Sequence, residues 1–311
     1  MGNYRIEFAA GSERQRMKKR RTLLNNLKAY AFIGPNYLLM LVFHAFPVLF
    51  SLVLAFTDWD LLSGFSNLKF NGLANFLAMP KDPWFVRSLF NNFYYTLLVV
   101  PGTIMLALLL AVLINDFAYK KGLFRLVNFI PFISNTVAVS LIWSLLYSKY
   151  GPIVGFLKAI GVSNPPAFLA NRYWAMPAII FMSIWMQLGY YALIFGAGLQ
   201  NIPVETYEAS QIDGANWWQR FFYITLPMLS PTTFFVLISL VIASFKVFSQ
   251  IQVMTDGGPF GSTSVLVYYI YTSAFKYYKF GYASAMAIVL FIIIFIFTLM
   301  QWRGQKKWQS F

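Results

Sequence analysis

The chain has 311 residues, 59% of them hydrophobic and only 11% charged, with a net charge of +14 at neutral pH. A soluble chain runs nearer half apolar and a quarter charged, so the apolar excess faces lipid and a water-soluble globular protein is excluded. Cysteine is absent, which excludes a disulfide framework, a thiol nucleophile and a thiolate metal site.

The first 29 residues are polar and basic, carrying Arg5, Arg14, Arg16, Lys18, Lys19, Arg20, Arg21 and Lys28. Apolar runs long enough to cross a hydrocarbon core of about 30 Å, which takes about 20 helical residues, then follow in order. They are Tyr30 to Phe56, Phe93 to Ile114, Leu126 to Tyr147, Trp174 to Ala197, Met228 to Gln252 and Tyr282 to Trp302. The first run is too long for a signal-peptide core and no small-residue cleavage pattern follows it, so it reads as a retained span. The expected fold class is all-α: a polytopic membrane protein with six transmembrane helices, flanked by a tail over 1–29 and another over 303–311, with one transmembrane domain over 30–302.

Orientation follows from where Lys and Arg are retained. Placing the basic tail in the cytoplasm also puts Lys120, Lys121, Arg125, Arg303, Lys306 and Lys307 there, and with six spans both termini are cytoplasmic. The tail as a headgroup- or RNA-binding arm is the other reading; juxtamembrane basic clusters are usually topogenic. Across the chain the cations lie in the gaps between apolar runs and are not interleaved with aromatics in a groove-like pattern, so no nucleic-acid partner is expected. Trp59, Trp84, Trp174 and Trp302 fall near span ends, as an aromatic belt would place them.

One cytoplasmic connection departs from the rule. Residues 201–227 hold Arg220 as their only cation against Glu205, Glu208 and Asp213, so the composition of this loop answers to a partner as well as to topology.

The chemistry that is missing narrows the class. All ten carboxylates (Glu7, Glu13, Asp58, Asp60, Asp82, Asp116, Glu205, Glu208, Asp213 and Asp256) lie outside the six runs, whereas ion-coupled carriers place such groups near the bilayer midplane. No G-x-x-x-x-G-K-[ST] pattern occurs, so if ATP drives this protein another subunit binds it. His44, in the first run, reads as an interhelical hydrogen bonder. Lys246, the one charge inside a run, reads as a side chain snorkelling toward the interface.

From Glu208 the sequence is EASQIDGANWWQRFFYITLP. Pro203 suits the first turn of a short helix, Glu205 and Glu208 lie near its positive end, and Gly214 supplies the left-handed residue that ends it. Asn216 to Phe222 can then form a second short helix, with Pro227 opening the fifth span. Glu208, Ala209, Asp213, Gly214, Ala215, Phe221, Leu226 and Pro227 resemble the signature loop of the membrane subunits of binding-protein-dependent ABC importers, with Ser210 in place of the usual second alanine. Met254 to Pro259 (MTDGGP), Ser262, Thr263, Tyr271, Ala274, Phe275 and Gly281 to Ala285 resemble the subfamily that imports sugars, oligosaccharides and glycerol phosphates.

The resemblance implies a permease subunit, not an enzyme, whose coupling helix docks in a cleft of an ATP-binding subunit, with Glu208 making a polar contact and Gly214 the tight turn. It further implies a second, related permease subunit, two cytoplasmic ATPases that hold ATP and Mg, an extracytoplasmic solute-binding protein, and a bacterial or archaeal cytoplasmic membrane. The substrate path in the family runs along the fourth and fifth spans. Here Ser183, Gln187 and Tyr190 share one helical face and suit sugar hydroxyls and a pyranose face, with Ser244 and Phe248 parallel on the fifth span; helix packing is the equal alternative for these polar groups. An ion-coupled secondary carrier and a channel or scaffold remain as readings from other classes.

Overall fold

A computed structural model describes residues 26, 28–60, 62, 64 and 68–305. The basic residues before Lys28, together with Lys306 and Lys307, lie outside the described residues. The chain divides into two compact units, Met1–Leu54 and Ala55–Phe311.

The first unit is one helix, α1 (Lys28–Leu54), with a mean hydropathy of 2.3 over its most apolar window. Its side chains are exposed almost throughout: Leu38, Phe43 and Leu49 each keep more than half of their surface. Such a helix is stable only where the surroundings are themselves apolar. A π turn over Leu41–Ala45 interrupts it, and His44 lies in that turn.

The second unit begins with a two-stranded antiparallel sheet, β1 (Thr57–Asp58) pairing with β2 (Lys69–Phe70). A short helix α2 (Ala74–Ala78) leads to α3 (Pro83–Phe117), 35 residues long and so about 52 Å at the usual rise per residue. Asp82 caps α3 by accepting from the Trp84 N–H, and Pro83 occupies the first turn, where its missing N–H costs nothing. The helix therefore starts ten residues ahead of the apolar run that announces it.

The segment expected as one third span is broken. Helices α4 (Lys121–Ile133) and α5 (Thr136–Leu146) meet at 96°. The cause is local: Asn135 is extended, and its side-chain oxygen accepts from the N–H groups of Val137 and Ala138, an N-cap that starts a new helix inside an apolar run. After α6 (Pro152–Ala159) comes α7 (Ala175–Gln200), which packs along α3 and α4. At Gly189 a Cβ would fall 1.8 Å from the Asn128 carbonyl oxygen, so only glycine allows this approach of α4.

Helices α8 (Val204–Ile212) and α9 (Trp217–Met228) form the 201–227 loop, and α9 meets α10 (Ser230–Phe245) at a 64° bend. Pro227 lies in the last turn before that bend, and Pro231 stands in the first turn of α10, so the fifth apolar helix opens at Ser230–Pro231 and not at Pro227. It also stops early, at Phe245, with Lys246 exposed at its end. The chain turns through Phe248 into α11 (Ser249–Met254); Val247 before the turn and Ile251 and Met254 of α11 enter a core with Trp143, Met176 and Ile179. Helix α12 (Leu266–Tyr271), continued by a π turn over Thr272–Lys276, precedes α13 (Phe280–Gln305).

Four of these helices (α1, α3, α7 and α13) are individually long and apolar enough to span a membrane, and the two bent pairs bring the number to as many as six. The larger core joins Leu108, Ala111 and Val112 of α3 to Phe195, Leu240, Phe245 and Met286.

Candidate functional site

The 201–227 loop is built by short-range chemistry. Pro203 stands just ahead of α8 and Glu205 lies in its first turn. At its other end Gly214 adopts φ +77°, its N–H donates to the Gln211 carbonyl, and the Ala215 N–H donates to the Ser210 carbonyl. These paired bonds close the helix on a left-handed residue. Asn216 and Gln219 then exchange side-chain-to-backbone bonds of 2.9 and 2.8 Å, a reciprocal cap that starts α9. The second arm expected over Asn216 to Phe222 therefore exists but runs on to Met228, through a π turn over Phe221–Thr225.

The two arms are joined by a 2.9 Å hydrogen bond between the hydroxyls of Tyr207 and Thr225. Trp217 stacks on Phe221 with centroids 5.5 Å apart, and its Nε1–H donates to Asp116 Oδ2 at 3.3 Å. A cavity of about 390 Å³ lies between the end of α3 and the loop, with Asp116, Gln211, Trp217 and Arg220 on its walls. Arg220 Nε is buried there with no hydrogen-bond partner. Glu208, Ala209, Asp213 and Gly214 face solvent, and Ala215 and Pro227 are half-buried. Ile212, next to them, is 87% exposed. Ile212 and Glu208 thus lie together on the solvent-facing side of α8.

The residues expected on a substrate path divide. Ser183 is fully buried and donates to the Ile179 carbonyl, and Ser244 is buried with its one O–H shared between Thr96 Oγ1 at 2.9 Å and the Val241 carbonyl at 2.8 Å. Both hydroxyls serve packing within this chain. Gln187, Tyr190 and Phe248 are half-buried. Tyr190 stacks on Phe132 of α4 at 4.1 Å and 5°, and Phe248 meets Tyr271 at 5.1 Å.

The opposite end of α3 carries a second polar centre that sequence reasoning missed. Asp82 Oδ2 accepts from the hydroxyls of Tyr269 at 2.6 Å and Tyr282 at 2.8 Å. Burial works to raise the Asp82 carboxyl, but the two tyrosines and the N–H groups of Trp84 and Phe85 hold it below the ordinary carboxylate range. Tyr269 is pushed up, by burial first and then by Asp82.

Beside it the MTDGGP stretch and the two residues after it fold as a loop with four left-handed residues: Asp256, Gly257, Phe260 and Gly261. It is held to α3 by Arg87 donating to the Phe260 carbonyl, Asn91 donating to the carbonyls of Gly261 and Ser264, a Ser88–Ser264 hydroxyl pair, and the Leu266 N–H donating to Asn92. Tyr268 and Lys276 both donate to Asp256. The partners on α3 could not be paired from sequence, because they lie about 170 to 176 positions from the loop. Among the described residues no group of His, Cys, Asp and Glu could hold a metal ion.

A long apolar helix bundle with two bent helices, an exposed polar loop at one end and a hydrogen-bonded loop at the other defines a multi-span membrane transport subunit. Residues 71–307 match the family of binding-protein-dependent transport system inner membrane components, and the chain belongs to that family. It is 37% identical to the probable ABC transporter permease protein YesP of Bacillus subtilis over 96% of this chain and 97% of that one. It is 33% identical to the lactose transport system permease protein LacF of Rhizobium radiobacter, covering 91% and 95%. In fold it is similar to a chain of a bacterial alginate ABC transporter solved with an alginate pentasaccharide-bound periplasmic protein, with a TM-score of 0.78, 23% identity and coverage of 90% and 94%.

Proposed function

We propose that this chain is the permease subunit of an ATP-driven importer of a sugar or oligosaccharide, and that its 201–227 loop docks on a separate ATPase. The observation that carries the coupling role is the Gly214 turn, which holds α8 as a closed, solvent-facing element presenting Glu208 and Ile212. The saccharide class rests on the 254–285 stretch and on the lactose permease among its relatives.

In this reading the six spans are α1, α3, the α4–α5 pair, α7, the α9–α10 pair and α13, in a bacterial cytoplasmic membrane. The Asp116–Trp217 contact puts the α3–α4 connection, with Lys120 and Lys121, at the same end as the coupling loop, which supports a cytoplasmic loop and cytoplasmic termini. A related second permease completes the pore, two ATPases bind ATP and Mg, and an external binding protein delivers solute. Gln187, Tyr190 and Phe248 are then the path residues with surface still to offer, and Ser183 and Ser244 hold the helices that present them.

The test is reconstitution of the complex in vesicles with ATP inside and the binding protein outside, with a panel of labelled saccharides and glycerol phosphate. Uptake of a saccharide that requires ATP and the binding protein is expected. Uptake of glycerol phosphate alone would move the substrate class, and uptake by this chain alone on an ion gradient would overturn the reading. Substituting Gln187 and Tyr190 by alanine is expected to lower uptake with the complex intact; unchanged uptake would remove them from the path.

A further inference from the structure

Helix α3 touches both of the polar centres described above, and they lie at its two ends. At one end Asp116 accepts from Trp217 of the 201–227 loop, and Tyr207, Trp217 and Phe221 pack against the core to which α3 contributes Leu108, Ala111 and Val112. At the other end Arg87, Ser88, Asn91 and Asn92 hold residues 260–266 by five hydrogen bonds, and Asp82 ties the start of α3 to Tyr269 and Tyr282.

Between these ends α3 is one unbroken helix. Pro101 interrupts its hydrogen-bond ladder, and its neighbours brace it around that point: Ile184 of α7 packs at Gly102, and Ser244 of α10 bonds Thr96. Cavities lie at both ends of α3, about 600 Å³ beside Asp82 and Tyr282 and about 390 Å³ at the coupling-loop end. The second leaves room for relative movement, and Asp116 and Arg220 line it without forming an ion pair, although Arg220 Nε lacks any partner. A carboxylate and a guanidinium facing one cavity favour its closure.

We infer that α3 is the rod that carries displacement of the coupling loop to the 256–266 loop on the opposite face, with Asp116 and Trp217 as the positioning residues that join loop to rod. Elements that carry coupling are rigid and contiguous, with two arrangements available at the joint; here the rod is α3 and the joint is the Asp116 cavity. Phe260, 83% exposed at the tip of the far loop, is where the movement emerges. The inference rests on the coupling role proposed for the 201–227 loop.

The test uses the whole complex in lipid nanodiscs. The chain contains no cysteine, so Phe260→Cys and, separately, Val204→Cys each give this subunit one site for an environment-sensitive fluorophore. Addition of a non-hydrolysable ATP analogue is expected to change the signal at both positions. In Trp217→Phe, which removes the indole N–H with the pyrrole part of the ring but keeps an aromatic face toward Phe221, and in Asp116→Ala, the change at 260 is expected to fall at least about fivefold, the lower end of ordinary coupling strengths. The change at 204, the analogue's affinity and the melting temperature of the complex are expected to stay the same. A full response at 260 in both variants overturns the rod. A silent label at 204 in the otherwise unaltered complex would instead overturn the coupling reading, and the inference would fall with it.

Discussion

Two loops of this molecule turn on a left-handed glycine, and they are held in opposite ways. Gly257 at φ +75° is buried, and a Cβ there would lie 2.4 Å from the Tyr268 ring; Gly214 at φ +77° has nothing within 4 Å of that position. The 256–266 loop is fixed from outside by α3, Tyr268 and Lys276. The 201–227 loop is closed mainly by its own helix caps and the Tyr207–Thr225 bond, with Trp217–Asp116 as its bond to α3, and leaves Glu208 and Ile212 bare. The contacts of the first loop are spent within the chain, which fits a scaffold; the second is locally closed with its outer face open, which fits the docking role proposed for it.

The largest expected effect that separates them is Gly257→Ala. It combines a left-handed conformation, about 1–2 kcal/mol, with overpacking against an aromatic ring, about 1–3 kcal/mol, and thermal unfolding of the complex should show a clear drop. Gly214→Ala should cost only the conformational part, about 1–2 kcal/mol, confined to the loop; uptake falls while the melting temperature holds. Equal losses of melting temperature in the two variants would erase the distinction.

Glu208→Gln sharpens the comparison further. On an exposed, unpaired side chain its effect on stability is expected within about 0.5 kcal/mol, yet loss of a charge-assisted contact, about 1.5–3 kcal/mol, should weaken ATPase docking at least about tenfold in a pull-down titration. Unchanged docking would remove Glu208 from the interface.

The smallest effect is in pH. Burial opposes ionisation of Asp256, but Lys276 and Tyr268 hold its carboxyl below the ordinary value, and Lys276 is held above its own, chiefly by Asp256. The Asp256 contribution is present above its unfolded pKa of about 3.9 and lost as pH falls through the lower folded value; the Lys276 contribution is present below about 10.4 and lost as pH rises through the higher folded value. Both groups are substantially exposed, so salt screens the pair. Protease nicking near Phe260 should be least between these limits and rise below about pH 4; a flat profile would mean that the α3 contacts alone fix the loop.

Local chemistry was legible in the sequence. Gly214 and Pro203 place the end and the start of α8 from their own dihedral preferences, and the apolar runs give four long helices within a few residues, apart from α3, whose Asp82–Pro83 start precedes its run. The break at Asn135 was legible in principle, since Asn-Thr is a capping signal, but it sits inside an apolar run whose length speaks for one span. The early end of α10 was not, because Lys246 to Phe248 contain no helix breaker; the turn is made where Val247 and Ile251 gain a buried place.

What the sequence by itself determined is therefore the membrane class, the positions of most helices and the loop that carries the family pattern, all of which depend on composition or on neighbours a few residues apart. Only the tertiary structure decided that Ser183 and Ser244 bond inside the bundle, that Asp82 gathers two tyrosines, and that Asp116 meets Trp217. The physical reason is separation: Asp116 and Trp217 are 101 positions apart, and Asp82 and Tyr282 are 200, distances over which no periodicity or spacing rule relates one side chain to another until packed helices bring them together.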